Sequence, residues 1–322
     1  MADEPRCAMR ALQDALEAYL ALRRGLGTEL LRPARYLRRF VDFLDREGAT
    51  VITTELALRW ATAPANATPA TRASRLDDVR RFASWLSATD PRTEVPPRGL
   101  LPDRYRRRPP YVYSDEEIER IMREAVRLDS PLGLRAQTYA TLFGLLAATG
   151  LRVSEALSLD RDDVDLHAGV LAVRRSKFGK SRFVPIHDST RRALHRYAQK
   201  RDHVVAHPAS AAFLLSERGT RVTDCSARYN FVVVSRAIGL RPPARGHHHG
   251  HGPRLHDMRH RLAAKTLIRW YREGRDVERE LPKLSTYLGH VHVADTYWYI
   301  EAIPELLQLA TERATGPRRK GS

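Results

Sequence analysis

Val170-Leu-Ala-Val-Arg-Arg-Ser-Lys177-Phe-Gly-Lys-Ser-Arg182-Phe-Val-Pro-Ile186 is the stretch that decides the architecture, because it breaks a chain that otherwise reads as helix. Val170 to Arg174 and Arg182 to Ile186 are short β-prone runs. Between them Lys177-Phe-Gly-Lys180, with Gly179 in the turn, completes the layout of a hairpin. Outward from it the apolar residues return at helical spacing, over Thr190 to Arg201, Tyr229 to Ile238, His256 to Tyr271, Leu281 to Gly289 and Ile303 to Ala314. The expected fold is mainly α with a small antiparallel sheet.

The first third carries no strand pattern. Leu12, Leu16, Tyr19 and Leu20 and then Tyr36, Phe40, Phe43 and Leu44 mark helix faces. Gly25, Gly27 and Gly48 and the run Ala61 to Pro69 separate one helix from the next. Arg72, Arg75, Arg80 and Arg81 decorate the fourth helix, a face that suits phosphates and a solvated surface equally well. Prolines and arginines then dominate up to Pro110, with Arg104-Tyr-Arg-Arg-Arg108 adding charge. Ser114-Asp-Glu-Glu117 has the pattern of a capping box and opens the next helix. The expected division is a helical domain over 1–100, a basic linker over 101–110 and a second domain over 111–322.

Fifty-five basic residues against 38 acidic ones give a net charge of +17, which points to a polyanionic partner, most plausibly nucleic acid. The two cysteines, Cys7 and Cys225, match no disulfide or metal framework. The start lacks the layout of a secretory signal, and the longest apolar stretch, Leu142 to Leu151, is too short to span a bilayer. The expected location is the cytoplasm. His247-His-His-Gly-His251 looks like a metal cluster, but histidines beside glycines make a poor rigid site and suit a DNA-facing loop better. No cofactor or metal is expected.

Six scattered residues carry the chemistry: Arg152, Lys177, His256, Arg259, His290 and Tyr299. They sit in four phrases: Ala148-Thr-Gly-Leu-Arg152-Val-Ser-Glu155, the hairpin, Leu255-His256-Asp-Met-Arg259-His260, and Leu288-Gly-His290 with Tyr299 nine positions on. Two arginines can grip a phosphate bidentately and stay charged at any relevant pH. The histidines can donate to its oxygens or take a proton near neutrality. Lys177 can protonate a leaving oxygen, and with only six lysines in the chain its place in the hairpin is informative. A phenol titrates near 10, so ionising Tyr299 at neutral pH costs roughly 4 kcal/mol unless cations help. Tyr297 competes as nucleophile, but two positions on a helix differ by about 200°, so one tyrosine faces the site and the other is expected in the core.

These four phrases resemble those of the tyrosine recombinases, the phage integrase family, over roughly residues 112 to 310. The resemblance implies a helical core-binding, DNA-binding domain followed by a mixed α/β integrase-type catalytic domain. It matches Arg152 to the family's first arginine, Lys177 to its hairpin lysine, His256 and Arg259 to its His-x-x-Arg pair, and His290 and Tyr299 to its last histidine and nucleophile. Where that family usually has a threonine pair before the tyrosine, this chain reads Asp295-Thr296. The implied activity is site-specific recombination or integration through a 3′-phosphotyrosyl intermediate and a free 5′-hydroxyl, for a mobile element.

The implied partners are double-stranded DNA, a homotetramer on that DNA, and accessory DNA-bending or partner recombinase proteins. Ile303 to Ala314 suits docking on a neighbouring protomer, as the family suggests, or packing in its own core. Two rivals stand beside this reading. A type IB topoisomerase uses the same residue types but rotates one strand, and a catalytically silent DNA-binding protein would not need the intact set of six.

Overall fold

The computed structural model describes residues 4–28, 30–102, 110–174, 181–243, 252–290 and 292–315. Lys177, Arg104 to Arg108 and His247 to His251 lie outside the described residues. The chain divides into two compact units, Met1–Arg107 and Arg108–Ser322.

In the first unit four helices, α1 (Glu4–Gly25), α2 (Leu31–Arg46), α3 (Thr54–Thr62) and α4 (Pro69–Leu86), close on one core. On α2 the buried residues Ala34, Leu37, Phe40, Val41 and Leu44 recur at three- and four-residue steps, so one stripe faces inward. Thr53 and Thr68 cap α3 and α4 by accepting from the amides of Leu56 and Thr71.

The arginines of α4 hold this unit together. Arg75 is buried, donates to the Trp60 carbonyl at 2.6 Å and lies 3.7 Å over the Trp60 ring. Arg72 donates to the carbonyls of Pro64 and Ala65. Arg80 donates to those of Pro96 and Pro97. Arg81 alone of the four stays outward, paired with Asp77. The proline-rich stretch from Asp90 to Leu101 is likewise fastened down: the Glu94 amide donates to the Ile52 carbonyl and the Glu94 carboxylate accepts from the Thr54 amide.

The second unit runs α5 (Asp115–Ala125), α6 (Leu134–Thr149), α7 (Val153–Ser158), β1 (Val164–Asp165), β2 (Val170–Val173), β3 (Arg182–Pro185), α8 (Asp188–Val204) and α9 (Asp224–Ala237). It continues with α10 (Asp257–Arg272), α11 (Val277–Leu288), α12 (Ala294–Ala302) and α13 (Pro304–Thr315). The Ser114 capping box forms as the sequence suggests, with both reciprocal bonds made. The strands β2 and β3 pair antiparallel, with Val170 opposite Pro185 and Val173 opposite Arg182. A third strand, β1, pairs with β2 through Val164 and Leu171; two residues are too few to show a period in sequence.

Helix α6 is apolar nearly all round and lies buried, packed against α5, α8 and α10, with Leu142, Phe143 and Leu146 in the core. A second core joins α10 to α13 through Ala263, Leu267, Leu281, Leu288 and Leu306. Helix α10 contributes Met258 to the first core and Ala263 to the second, and Arg259 falls between them. Ile303 and, on α13, Leu306 are buried in this core, while Leu307 is 52% exposed, so α13 packs part of its apolar surface within its own chain. Among the described residues no helix is long and apolar enough to cross a membrane.

Candidate active site

The site begins where α6 stops. Gly150 caps that helix in the left-handed region at φ 61°, and a Cβ there would stand 2.8 Å from Cδ2 of Leu262, so both backbone and space demand glycine. Two residues later Arg152 enters α7, its amide held by the Glu155 carboxylate at 2.9 Å. The Arg152 guanidinium donates to Glu155 Oε1 at 2.6 Å and to the Gly289 carbonyl at 2.9 Å.

Glu155 is buried and serves a second arginine. Arg182, from β3, donates both Nη atoms to its oxygens at 3.0 and 2.9 Å. Burial alone would push the Glu155 carboxyl up, but the Arg182 fork and Arg152 outweigh it and hold the group down at about 2. One carboxylate thus fixes two cations in place.

A helix end fixes three. The last carbonyls around the C-terminus of α11 accept from different arginines: Tyr287 from Arg182 Nε at 2.9 Å, Leu288 from Arg259 Nη2 at 2.5 Å, and Gly289 from Arg152 Nη2 at 2.9 Å. These acceptors have no partner inside the helix and lie at the negative end of its dipole. Arg259 also donates to the Gly150 carbonyl at 2.8 Å, tying the end of α6 to the end of α11. It is 2% exposed, and burial first and Arg152 second push its pKa down to about 10, which leaves it charged at neutral pH. Among the described residues no carboxylate forms an ion pair with Arg259.

Three histidines and a tyrosine complete the arrangement. His256 caps α10, and its ring stands edge-on to that of His260 one turn later, with centroids 4.7 Å apart. His256 keeps an edge open to solvent, yet crowding around the ring and the Arg259 charge push its pKa down to about 4. The Nδ1 of His260 lies 2.9 Å from the Tyr299 hydroxyl. His290 stacks on the Tyr299 ring at 6.4 Å and places its own Nδ1 2.8 Å from the Thr296 hydroxyl.

Five of the six residues singled out in the sequence therefore converge; Lys177 lies outside the described residues. Tyr299 is 2% exposed and faces the histidines. Tyr297 is 43% exposed, so the expectation that it packs in the core is wrong: α12 has a solvent side, and Tyr297 is on it. Arg182 and His260 received no role from the sequence, and Glu155 read there equally as an orienter of neighbouring basic groups or as part of a solvated helix face; it is the first, binding Arg152 and Arg182. Glu155 and His260 sit inside the quoted phrases, and helical spacing from His256 to His260 was the available signal. Asp257 accepts from the Arg254 amide and guanidinium.

The phage integrase family matches residues 112–305 of the chain. The chain is 47% identical over 309 residues to "Putative integrase/recombinase y4rB" of Sinorhizobium fredii (strain NBRC 101917 / NGR234), covering 95% of this chain and 97% of that protein. It is 31% identical over 322 residues to the tyrosine recombinase XerC of Mycobacterium bovis (strain BCG / Pasteur 1173P2), covering 95% and 99%. Among solved structures, the Tn1549 transposon integrase in complex with a circular intermediate DNA superposes with a TM-score of 0.63 at 16% identity, over 94% of this chain and 99% of that one. A lambda integrase dimer bound to a core site gives 0.59 at 16% identity, over 88% and 96%. With this match and these relatives the chain belongs to the phage integrase family, the tyrosine recombinases, and is an enzyme of DNA strand breakage and rejoining.

Proposed function

We propose that the chain recombines DNA at specific sites through a 3′-phosphotyrosyl intermediate on Tyr299, in the service of a mobile element. The observation that carries this reading is Arg259: a buried guanidinium with its hydrogen bonds partly met by carbonyls and, among the described residues, no carboxylate in ion-pair contact, in the same site as the buried Tyr299. A buried cation of that kind calls for an anion, and a scissile phosphate meets the need.

Arg152 and Arg259 grip the phosphate oxygens and offset the charge that builds on them. His256 and His290 donate to the same oxygens. Lys177 protonates the departing 5′-oxygen. Double-stranded DNA is the partner, residues 1–100 form the core-binding domain, residues 101–110 the linker and 111–322 the catalytic domain, and strand exchange proceeds in a homotetramer. Resemblance to a transposon integrase supports the mobile-element role, and resemblance to a lambda integrase solved as a tetramer on a Holliday junction supports this assembly.

The test is a suicide substrate carrying the element's own site. Wild type traps a covalent protein–DNA adduct that maps to Tyr299, and Tyr299→Phe traps none. Equal trapping by the two overturns the mechanism. Relaxation of supercoiled plasmid by a monomer without site preference assigns the chain to strand rotation instead.

A further inference from the structure

The Tyr299 hydroxyl has a neighbour that the six-residue reading does not use. His260 Nδ1 stands 2.9 Å from it, on a helix whose next turn, Ala263 and Ala264, packs in the same core as Tyr299. We propose that His260 is a further catalytic residue, the base that takes the phenolic proton of Tyr299 during attack and returns it during rejoining; this rests on the phosphotyrosine reading above.

The step balances. In cleavage the Tyr299 oxygen forms a bond to phosphorus, the bond from phosphorus to the 5′-oxygen breaks, the phenolic proton moves to His260 Nδ1, and the general acid protonates the 5′-oxygen. In rejoining the 5′-hydroxyl attacks, its proton returns to that acid, and His260 gives its proton back to the departing phenolate. No net proton is consumed over the cycle.

Three observations favour His260 for this work. Its Nδ1 lies at hydrogen-bonding distance from the attacking atom itself, the geometry required of a base. Tyr299 is 2% exposed, so bulk water has poor access to its proton. His290 has its Nδ1 engaged by the Thr296 hydroxyl, while His256 meets His260 with its ring edge-on.

The charges facing His260 are compatible with a transient imidazolium. His256, 4.7 Å away, is held neutral at physiological pH by crowding and by Arg259, so no second imidazolium opposes it. Arg259, the residue before it on the same helix, does oppose it, and a bound phosphate with its gathering negative charge offsets that. The tautomer follows from the role: Nδ1 accepts from the phenol, so Nε2 carries the ring proton in the resting enzyme.

The test compares wild type, His260→Gln, His260→Asn and Tyr299→Phe in single-turnover cleavage of a suicide substrate between about pH 6 and 9.5, the span across imidazole and phenol titration. A rate constant, unlike an amplitude, does not depend on the fraction of folded protein. In wild type the rate constant levels off above the imidazole range. In both His260 variants it falls about 100-fold at pH 7 and climbs with pH, so that the deficit narrows steadily toward pH 9.5. Free imidazole added to His260→Ala restores cleavage, and added to Tyr299→Phe does nothing.

A deficit that stays constant across the pH range assigns His260 a packing role and overturns the proposal. Cleavage at pH 7 within about threefold of wild type also overturns it. In both cases wild type still traps an adduct on Tyr299, so the wider reading stands. If wild type traps no adduct on Tyr299, both fall together.

Discussion

Arg152 and Arg182 share the carboxylate of Glu155, which accepts from Arg152 at 2.6 Å and from Arg182 at 3.0 and 2.9 Å while buried from solvent. Two cations that would repel one another are thereby held as neighbours, and the strand β3 is tied to the start of α7.

Replacing Glu155 with glutamine leaves two guanidiniums facing a neutral amide. Stability should drop by about 3–5 kcal/mol, the usual cost of breaking a buried pair, and cleavage should fall with it. The wild-type pH dependence is a second check. The folded carboxyl lies below its ordinary value of 4.5, at about 2, so its stabilisation is present above pH 4.5 and is lost as pH falls toward 2. The amount is about 3 kcal/mol. Urea melts at pH 7 and pH 3 capture about 2 kcal/mol of it, and equal loss in wild type and Glu155→Gln on acidification refutes it.

Arg259→Lys keeps the charge but cannot span the carbonyls of Gly150 and Leu288. Covalent trapping should fall by about 100-fold or more. Binding to a short DNA duplex, measured by gel shift, should change much less, because many other phosphate contacts contribute.

Tyr297→Phe should trap the same amount of covalent adduct as wild type. Tyr297 is 43% exposed on the far side of α12 from the histidines. An adduct lost in this variant and kept in Tyr299→Phe would exchange the two assignments.

Arg75→Ala should cost the first unit about 1–3 kcal/mol, since it removes both a buried bond to the Trp60 carbonyl and the stacking over the Trp60 ring. Arg81→Ala, which loses an exposed pair with Asp77, should cost less than about 1 kcal/mol. Thermal melts of the full chain separate the two.

Those arginines show where the sequence stops being readable. The spacing of Leu37, Phe40 and Leu44 announces a helix because neighbours three and four apart share a face, and the β-prone runs around Lys177 announce β2 and β3 for a similar local reason. Arg75 carries no such mark. Its acceptor is a backbone carbonyl, which every residue has, brought near by folding alone, so a row of arginines on α4 reads as a phosphate face or a solvated surface and gives no sign of being a set of braces.

The candidate site divides the same way. Arg152, His256, Arg259, His290 and Tyr299 stood out by phrase and spacing. Arg182 was hidden, because its partners Glu155 and Tyr287 are distant in sequence. His260 was in plain view beside Arg259 and gained meaning only when Tyr299 came to rest against it. Tyr297 was misplaced because angular separation on a helix says that two residues differ, not which one faces inward.

The end of α11 has a mechanical consequence. Arg152 and Arg259 hang from adjacent carbonyls, Gly289 and Leu288, and the chain leaving that turn leads through His290 to α12 and Tyr299. The last turn of one helix therefore acts as a ruler for the two arginines and an anchor for the segment that carries Tyr299. If that turn unwinds, the spacing of the guanidiniums and the placing of the tyrosine are lost in a single event, so under the proposed mechanism a chain in which it has frayed is switched off as a whole.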